Sequence, residues 1–265
     1  MAGKGVNGGV NGWTLITGAS EGLGREFAII AAAEGRDLIL VARQADKMEK
    51  LAETLRTRHK IAVEVVPTDL SDADAVEGLW RFATGRRRID VLVNNAGLGY
   101  NGPFASDDFT REKASIDVNV MALTILMKRA IPHMQAAGGG RIMNVASTAA
   151  FMPGPNMAVY HATKAYVLSL SEAVAEELRG SKVTLTVLCP GATATNFAKD
   201  AKMEGVRLFK AMPVPSAQSV AKAGWAAMLR GKRVKVTGLM NSLFAFGPRL
   251  VPRSVSTRIA ALFLK

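Results

Sequence analysis

Residues 160–166 read YHATKAY and set a phenol and an ammonium four positions apart. Side chains at i and i+4 share one face of an α-helix, so Tyr160 and Lys164 are predicted neighbours. A tyrosine with the ordinary pKa of about 10 is a poor acid-base catalyst at neutral pH. A cation one turn away favours the phenolate and lowers that pKa, which would make the phenol a usable proton donor and acceptor. Taken alone, the pair is equally an ordinary helix surface. Ser147, thirteen residues upstream, adds a hydroxyl suited to holding a substrate oxygen. His161, between the two, reads as a packing or solvent-facing residue and not as a catalyst.

A second stretch with chemical content is TGASEGLG, residues 17–24, with glycines at 18, 22 and 24. Glycines allow a tight turn and a close backbone approach to a pyrophosphate, and a helix starting there presents free N–H groups to the anion. Such a turn carries weight only between a strand and a helix, so the surrounding elements decide its meaning.

Those elements alternate. WTLITG (13–18) reads as a strand and GLGREFAIIAAAEG (22–35) as a helix closing on Gly35. DLILVAR (37–43) is a strand and DKMEKLAETLRTRH (46–59) a helix; AVEVVPTDL (62–70) is a strand, with a helix opening at Ser71. IDVLVNNAG (89–97) precedes one long helix over about 108–136, and RIMNVAS (141–147) precedes a helix over 160–180. VTLTVLCPG (183–191) is the sixth strand, and 216–238 returns to a helix and a short strand. Short β-branched runs alternating with helices predict βαβ units: a single α/β Rossmann-type domain with a doubly wound, mostly parallel sheet over 13–238. Residues 1–12 form a Gly- and Asn-rich lead-in, expected to be flexible and without the apolar core of a secretory signal. Residues 192–215 are expected to be a substrate loop or lid, since a loop of that length inside a domain is usually functional.

Composition limits the partners. Hydrophobic residues are 49% and charged residues 21% of the 265, as in a globular protein with a well-filled core. No run is long and apolar enough for a membrane span, and the one cysteine, Cys189, excludes an intramolecular disulfide and suits a reducing cytoplasm. Cys189 itself reads as a small core residue. The net charge of +12 falls almost wholly on residues 199–265, which carry 13 Lys/Arg against 2 Asp/Glu, with no acid after Glu204. Residues 239–265 thus form a basic, apolar-rich extension. It has no nucleic-acid-binding motif; it suits an anionic membrane surface, touched peripherally, or a substrate bearing phosphates, and equally a solvated basic face. No metal site is expected.

The residue ending the second strand selects between dinucleotides. A carboxylate there would hold a ribose 2′-hydroxyl, but Ala42 and Arg43 occupy the place. Arginine pairs with a 2′-phosphate through a charge-assisted fork, which favours NADP(H) over NAD. Asp69, ending the third strand, is placed to accept from an adenine amino group.

With NNAG at 94–97, an asparagine inside a helix at 119, Ser147, YxxxK at 160–164 and PG at 190–191, the order of motifs over about 13–191 resembles the short-chain dehydrogenase/reductase superfamily. The tone of LVAR, PGPNMAVYHATKA and CPGATAT looks most like an NADP-dependent subgroup that includes 3-ketoacyl-CoA and 17β-hydroxysteroid reductase relatives. The resemblance implies that Gly18, Ser20, Leu23 and Gly24 wrap the cofactor phosphates, Arg43 the 2′-phosphate, and Asp69 with Leu70 the adenine. Asn95, Ala96 and Gly97 would lie along the adenosine ribose, and Pro190, Gly191 and Thr195 around the nicotinamide. Asn119, Ser147, Tyr160 and Lys164 would be the catalytic four, with Tyr160 the proton donor, Lys164 also on the nicotinamide ribose, and Asn119 holding a water that relays protons to the lysine. The implied activity is NADP(H)-dependent reduction of an apolar ketone or aldehyde, or the reverse reaction. The alternatives are a ketoacyl-thioester reductase gripping phosphates with basic residues 207–235 and a dinucleotide sensor without catalysis. Phe151, Met152, Met157, Tyr100 and Phe104 are candidates for the substrate pocket. Helices 108–136 and 160–180 would make a homodimer or homotetramer.

Overall fold

In the computed structural model, which describes residues 12–106, 108–202 and 214–264, the aliphatic runs pair side by side. The strands are β1 (Trp13–Thr17), β2 (Leu38–Ala42), β3 (Val63–Pro67), β4 (Ile89–Asn94), β5 (Gly140–Val145), β6 (Val183–Cys189) and β7 (Val234–Val236). They form one parallel sheet in the order β3-β2-β1-β4-β5-β6-β7. A parallel sheet is covered on both faces by its crossover helices, which is why LILVA in β2 carries no polar residue.

On one face lie α1 (Gly22–Ala33), α2 (Ala45–His59) and α8 (Ala217–Leu229), burying Phe27, Met48, Leu51, Val220 and Trp225 against Ile16, Leu40 and Val93. On the other lie α3 (Ala73–Thr84), α5 (Leu123–Ala136) and α6 (Ala158–Glu177), burying Trp80, Leu126, Met134 and Val167 against Leu15, Leu92 and Ile142. The connection after β1 goes to one face and that after β4 to the other, so a crevice opens between their carboxyl ends, where doubly wound folds bind ligands.

Several boundaries differ from the sequence reading, for local reasons. The sheet ends at Pro67, Asn94 and Cys189, short of the predicted 70, 97 and 191, because Asp69, Asn95 to Gly97 and Pro190–Gly191 leave the ladder to line the crevice. The third helix is capped by Asp72 and not by Ser71: Asp72 accepts from the N–H groups of Asp74 and Ala75, while the Ser71 hydroxyl donates to Asp69 Oδ1 at 2.7 Å. The helix predicted over 108–136 is continuous but not uniform: α4 (Phe109–Ile116) passes through a π-helical turn, Asp117–Ala122, into α5. π turns inside α-helices are frequent at functional sites, and this one carries Asn119.

A short helix, α7 (Phe197–Asp200), lies within the predicted lid, whose base closes where Ala194 N–H donates to Pro215 O at 3.0 Å. Residues 203–213 of that loop and the lead-in to residue 11 lie outside the described residues. The expected extension folds as α9 (Leu239–Phe246) and α10 (Arg253–Phe263) over the carboxyl edge of the sheet. Among the described residues no helix is long and apolar enough to cross a membrane.

Candidate active site

At the glycine turn, Gly18 and Gly22 adopt φ of +66° and +56°, the left-handed region that side chains with a Cβ disfavour. A Cβ on Gly24 would overlap the Gly18 carbonyl and lie 2.6 Å from Asn95 Nδ2; one on Gly18 would lie 2.9 Å from Ala96 Cα. The turn is therefore pressed against the end of β4. The clamp is Thr17 and Asn95: Thr17 Oγ1 accepts from the N–H groups of Asn95 and Ala96 at 3.0 Å, and Asn95 Nδ2 donates to the carbonyls of Thr17 and Gly18. The Asn95 amide nitrogen thus holds the turn, and the residue also lines the crevice.

From the turn a crevice of about 470 Å³ runs across the carboxyl ends of the strands. One end is lined by Ser20, Leu23, Ala42, Arg43, Asp69 and Leu70. Hydrogen bonds from the Ser71 N–H and hydroxyl hold the Asp69 carboxyl below the usual carboxylate range, and the nearby Arg43 guanidinium adds to this. Both Ser71 bonds fall on Oδ1 of Asp69.

At the other end the crevice meets α6. Ser147, Tyr160 and Lys164 all line it, with Gly97, Pro190, Gly191 and Thr195. Burial pushes the Tyr160 phenol up to about 12, and the Ser147 hydroxyl, hydrogen-bonded to it, pulls only part of that back. Burial brings the Lys164 ammonium down to about 8. The expected depression of the tyrosine by the lysine is thus absent. Lys164 Nζ donates to the Val145 carbonyl at 2.9 Å and stands 5.8 Å from the Tyr160 ring centre, so desolvation outweighs its attraction.

Asn119 is buried, and its amide is engaged on every side: Oδ1 accepts from Leu98 N–H at 2.8 Å, and Nδ2 donates to Leu98 O and to Thr163 Oγ1. The side chain ties the loop after β4 to α6, one residue before Lys164. A buried chain of amides fixes α6 further down: Asn94 Nδ2 donates to Asn144 Oδ1, and Asn144 Nδ2 donates to Ser171 Oγ, each at 2.9 Å. His161 packs, as expected; it is buried, its ring lies against Gly154, and Nδ1 is 2.8 Å from Met152 O. The Cys189 thiol is buried and raised to about 12 by desolvation, which leaves it unreactive.

Cradle, phenol, lysine and serine line one crevice in the order that the sequence of a known family repeats. The sequence model described as short chain dehydrogenase matches residues 12–204. The chain belongs to the short-chain dehydrogenase family. It is accordingly an oxidoreductase dependent on a nicotinamide dinucleotide. It is 27% identical to the mouse very-long-chain 3-oxoacyl-CoA reductase over 96% of this chain and 80% of that one. The human protein of that name is also 27% identical, but the match spans 64% of its length and 74% of this chain. A solved short-chain dehydrogenase from Sphingobium yanoikuyae in complex with NADPH superposes with a TM-score of 0.81 at 31% identity, over 87% of this chain and 89% of that one. One from Burkholderia phymatum in complex with NAD superposes with a TM-score of 0.79 at 26% identity, over 88% and 91%.

The crevice of this short-chain dehydrogenase also draws on residues that sequence reasoning passed over. Phe197 of α7 packs tilted against the Tyr160 ring, centre to centre 5.3 Å, and a Cβ on Gly99 would lie 2.7 Å from that ring and 2.9 Å from Phe197. Gly99 follows NNAG in the sequence, which was the available signal. Asn241 and Phe244 of α9 and Ala260 and Leu264 at α10 line the substrate end, and the Asn241 amide sits where a Cβ on Gly191 would be. Of the five pocket candidates, Met152 and Met157 line the crevice. Phe151 packs into the core, Phe104 is exposed, and Tyr100 lies under the Arg111 guanidinium, all three outside it.

The clamp at the glycine turn carries a direct prediction. In Gly24→Ala the new methyl meets the Gly18 carbonyl on one side and the Asn95 side-chain amide on the other, and such overpacking costs about 1–3 kcal/mol. The melting temperature should fall by about 3–10 °C, with weakened dinucleotide binding. Thermal denaturation with and without NADPH checks this; an unchanged Tm would show that the turn has room.

Proposed function

We propose that the chain is an NADPH-dependent reductase of an apolar ketone or aldehyde, with Tyr160 delivering the proton to the carbonyl oxygen. The observation that carries this reading is the juxtaposition at the substrate end: Tyr160 and Ser147 face a recess walled by Met152, Met157, Phe197, Phe244 and Leu264. The glycine cradle, which a Cβ would fill, fits a pyrophosphate, and Arg43 fits a 2′-phosphate. The bound nicotinamide supplies the hydride. The Ser147 hydroxyl positions the carbonyl oxygen, and the phenol, neutral far above physiological pH, gives up its proton as that oxygen gains charge. The Lys164 ammonium then faces the resulting phenolate and is also placed to bond ribose hydroxyls. Asn119, through Leu98 and Thr163, keeps the two chain segments in register.

The test is a panel of carbonyl compounds with NADPH and NADH, followed by absorbance across pH. Tyr160 keeps its proton up to about 12, and Lys164 keeps its own only up to about 8. Reduction should be level at neutral pH and fall as pH rises through about 8, where the ammonium is lost. A rate that stays level well above that point would remove Lys164 from the mechanism, and a panel with no NADPH-consuming carbonyl would remove the reading itself.

Likeness to very-long-chain 3-oxoacyl-CoA reductases favours a second reading, reduction of a ketoacyl thioester. The basic residues expected to grip its phosphates give it partial support only. Arg207 and Lys210 lie outside the described residues, and Arg233 pairs with Glu176, twelve residues along α6 from Lys164, about 18 Å by helical rise. Comparison of free ketones with coenzyme A thioesters separates the two. The exposed Ile116, Met121 and Tyr166, on the run from α4 into the π turn and on α6, are where we place a homodimer contact.

A further inference from the structure

The helices α9 and α10 are apolar on two opposite sides. Their inner sides wall the crevice with Phe244 of α9 and Ala260 of α10, with Leu264 following. Their outer sides carry Leu239, Leu243 and Phe246 on α9, and Val255, Ile259 and Leu262 on α10, each set at i, i+4, i+7 and each residue exposed. Leu250, in the turn between them, is 71% exposed and Leu239 is 80% exposed. Nine of the sixteen exposed large hydrophobic side chains among the described residues fall between 239 and 262, in about a tenth of the chain. A helix that is apolar all round is normally covered on all sides, and an apolar patch of this concentration marks an interaction surface.

Charge identifies what covers it. No carboxylate follows Glu204 in the sequence, and Arg253 and Arg258 stand exposed beside the apolar rows of α10. A second copy of an acid-free face would offer those arginines no counter-charge. An anionic lipid surface offers both apolar depth and phosphate, the combination that interfacial helices with apolar and basic sides exploit. We propose that the outer face of α9 and α10 docks this protein on an anionic membrane surface. Ile259 is both exposed and part of the crevice lining, so docking sets the mouth of the crevice at the lipid boundary, where an apolar substrate is dissolved. The docking stands independently of the reaction proposed above.

The test is sedimentation of the full chain with phosphatidylcholine vesicles, with and without phosphatidylglycerol as a minority component, read alongside its mass in solution. The protein should partition onto the anionic vesicles and be released by salt. The double variant Leu243→Glu/Phe246→Glu should lower partitioning about tenfold or more on the anionic vesicles. Arg253→Gln/Arg258→Gln should lower it about tenfold there and leave binding to pure phosphatidylcholine unchanged. None of these four residues lines the crevice, so NADPH binding and Tm report on folding. If the acidic pair unfolds the protein, the arginine pair decides. Absence of wild-type partitioning overturns the proposal, as does a dimer that Leu243→Glu/Phe246→Glu disperses while vesicle binding is unaffected.

Discussion

Tyr160→Phe should lower the turnover number by about 10²–10⁴-fold, the usual contribution of a positioned general acid, while the dissociation constant for NADPH stays essentially unchanged. Phenylalanine keeps the ring that packs on Phe197 at 5.3 Å and on the backbone of Gly99, so neither the wall of the crevice nor the helix behind it changes. What goes is the Oη proton and its bond to Ser147. The effect should be large because the Tyr160 phenol is the proton donor hydrogen-bonded to Ser147, and Met157, Phe197 and Leu264 cluster around its ring. Steady-state kinetics on the best substrate of the panel, with NADPH titrated by fluorescence, checks both halves. A variant that reduces its substrate at the wild-type rate would transfer the proton role to another group; one that loses NADPH as well would make Tyr160 a binding residue.

The sequence carried the sheet, the glycine turn and the tyrosine–lysine pair because each is written in neighbouring residues. Aliphatic runs bounded by glycine read as buried parallel strands, and a spacing of four reads as one helical face. What it did not carry depends on competition between distant groups. Lys164 points at Tyr160 by spacing, yet its ammonium donates to the Val145 carbonyl, nineteen residues away, at 2.9 Å, and burial lowers its pKa. Asn95 belongs to a motif that suggests a ribose, yet its amide faces the β1 turn because two carbonyls there need donors. Asn119 was legible as a polar residue in an apolar helix, but the π turn that carries it was not. Ser71 looked like a helix cap until Asp69 claimed its hydroxyl. The largest omission was the end of the chain. Basic and apolar residues after 238 read as an appendage, whereas the inner sides of two helices wall the crevice, because apolar spacing alone does not say which side meets the body.

Arg43→Ala should raise the KM for NADPH about tenfold and leave that for NADH unchanged, abolishing the preference for the phosphorylated dinucleotide. The argument rests on the end of β2. Ala42 supplies no carboxylate to a ribose 2′-hydroxyl, and Arg43 is the cation among the residues lining that end of the crevice. A charge-assisted bond to phosphate contributes about 1.5–3 kcal/mol, and tenfold in affinity corresponds to about 1.4 kcal/mol. The lower end of the range applies because Arg43 is exposed and solvent screens it. The same exposure makes the preference sensitive to ionic strength, so the wild-type ratio of KM values should shrink as salt is raised and the variant's should not. Arg43→Lys should recover part of the discrimination, since an ammonium keeps the charge but loses the planar fork. The turnover number with NADPH at saturation should be unaffected in both variants, because the guanidinium lies at the end of the crevice lined by Asp69 and Leu70, and Tyr160 at the other. An Arg43→Ala enzyme with the wild-type NADPH to NADH ratio would move the 2′-phosphate away from β2.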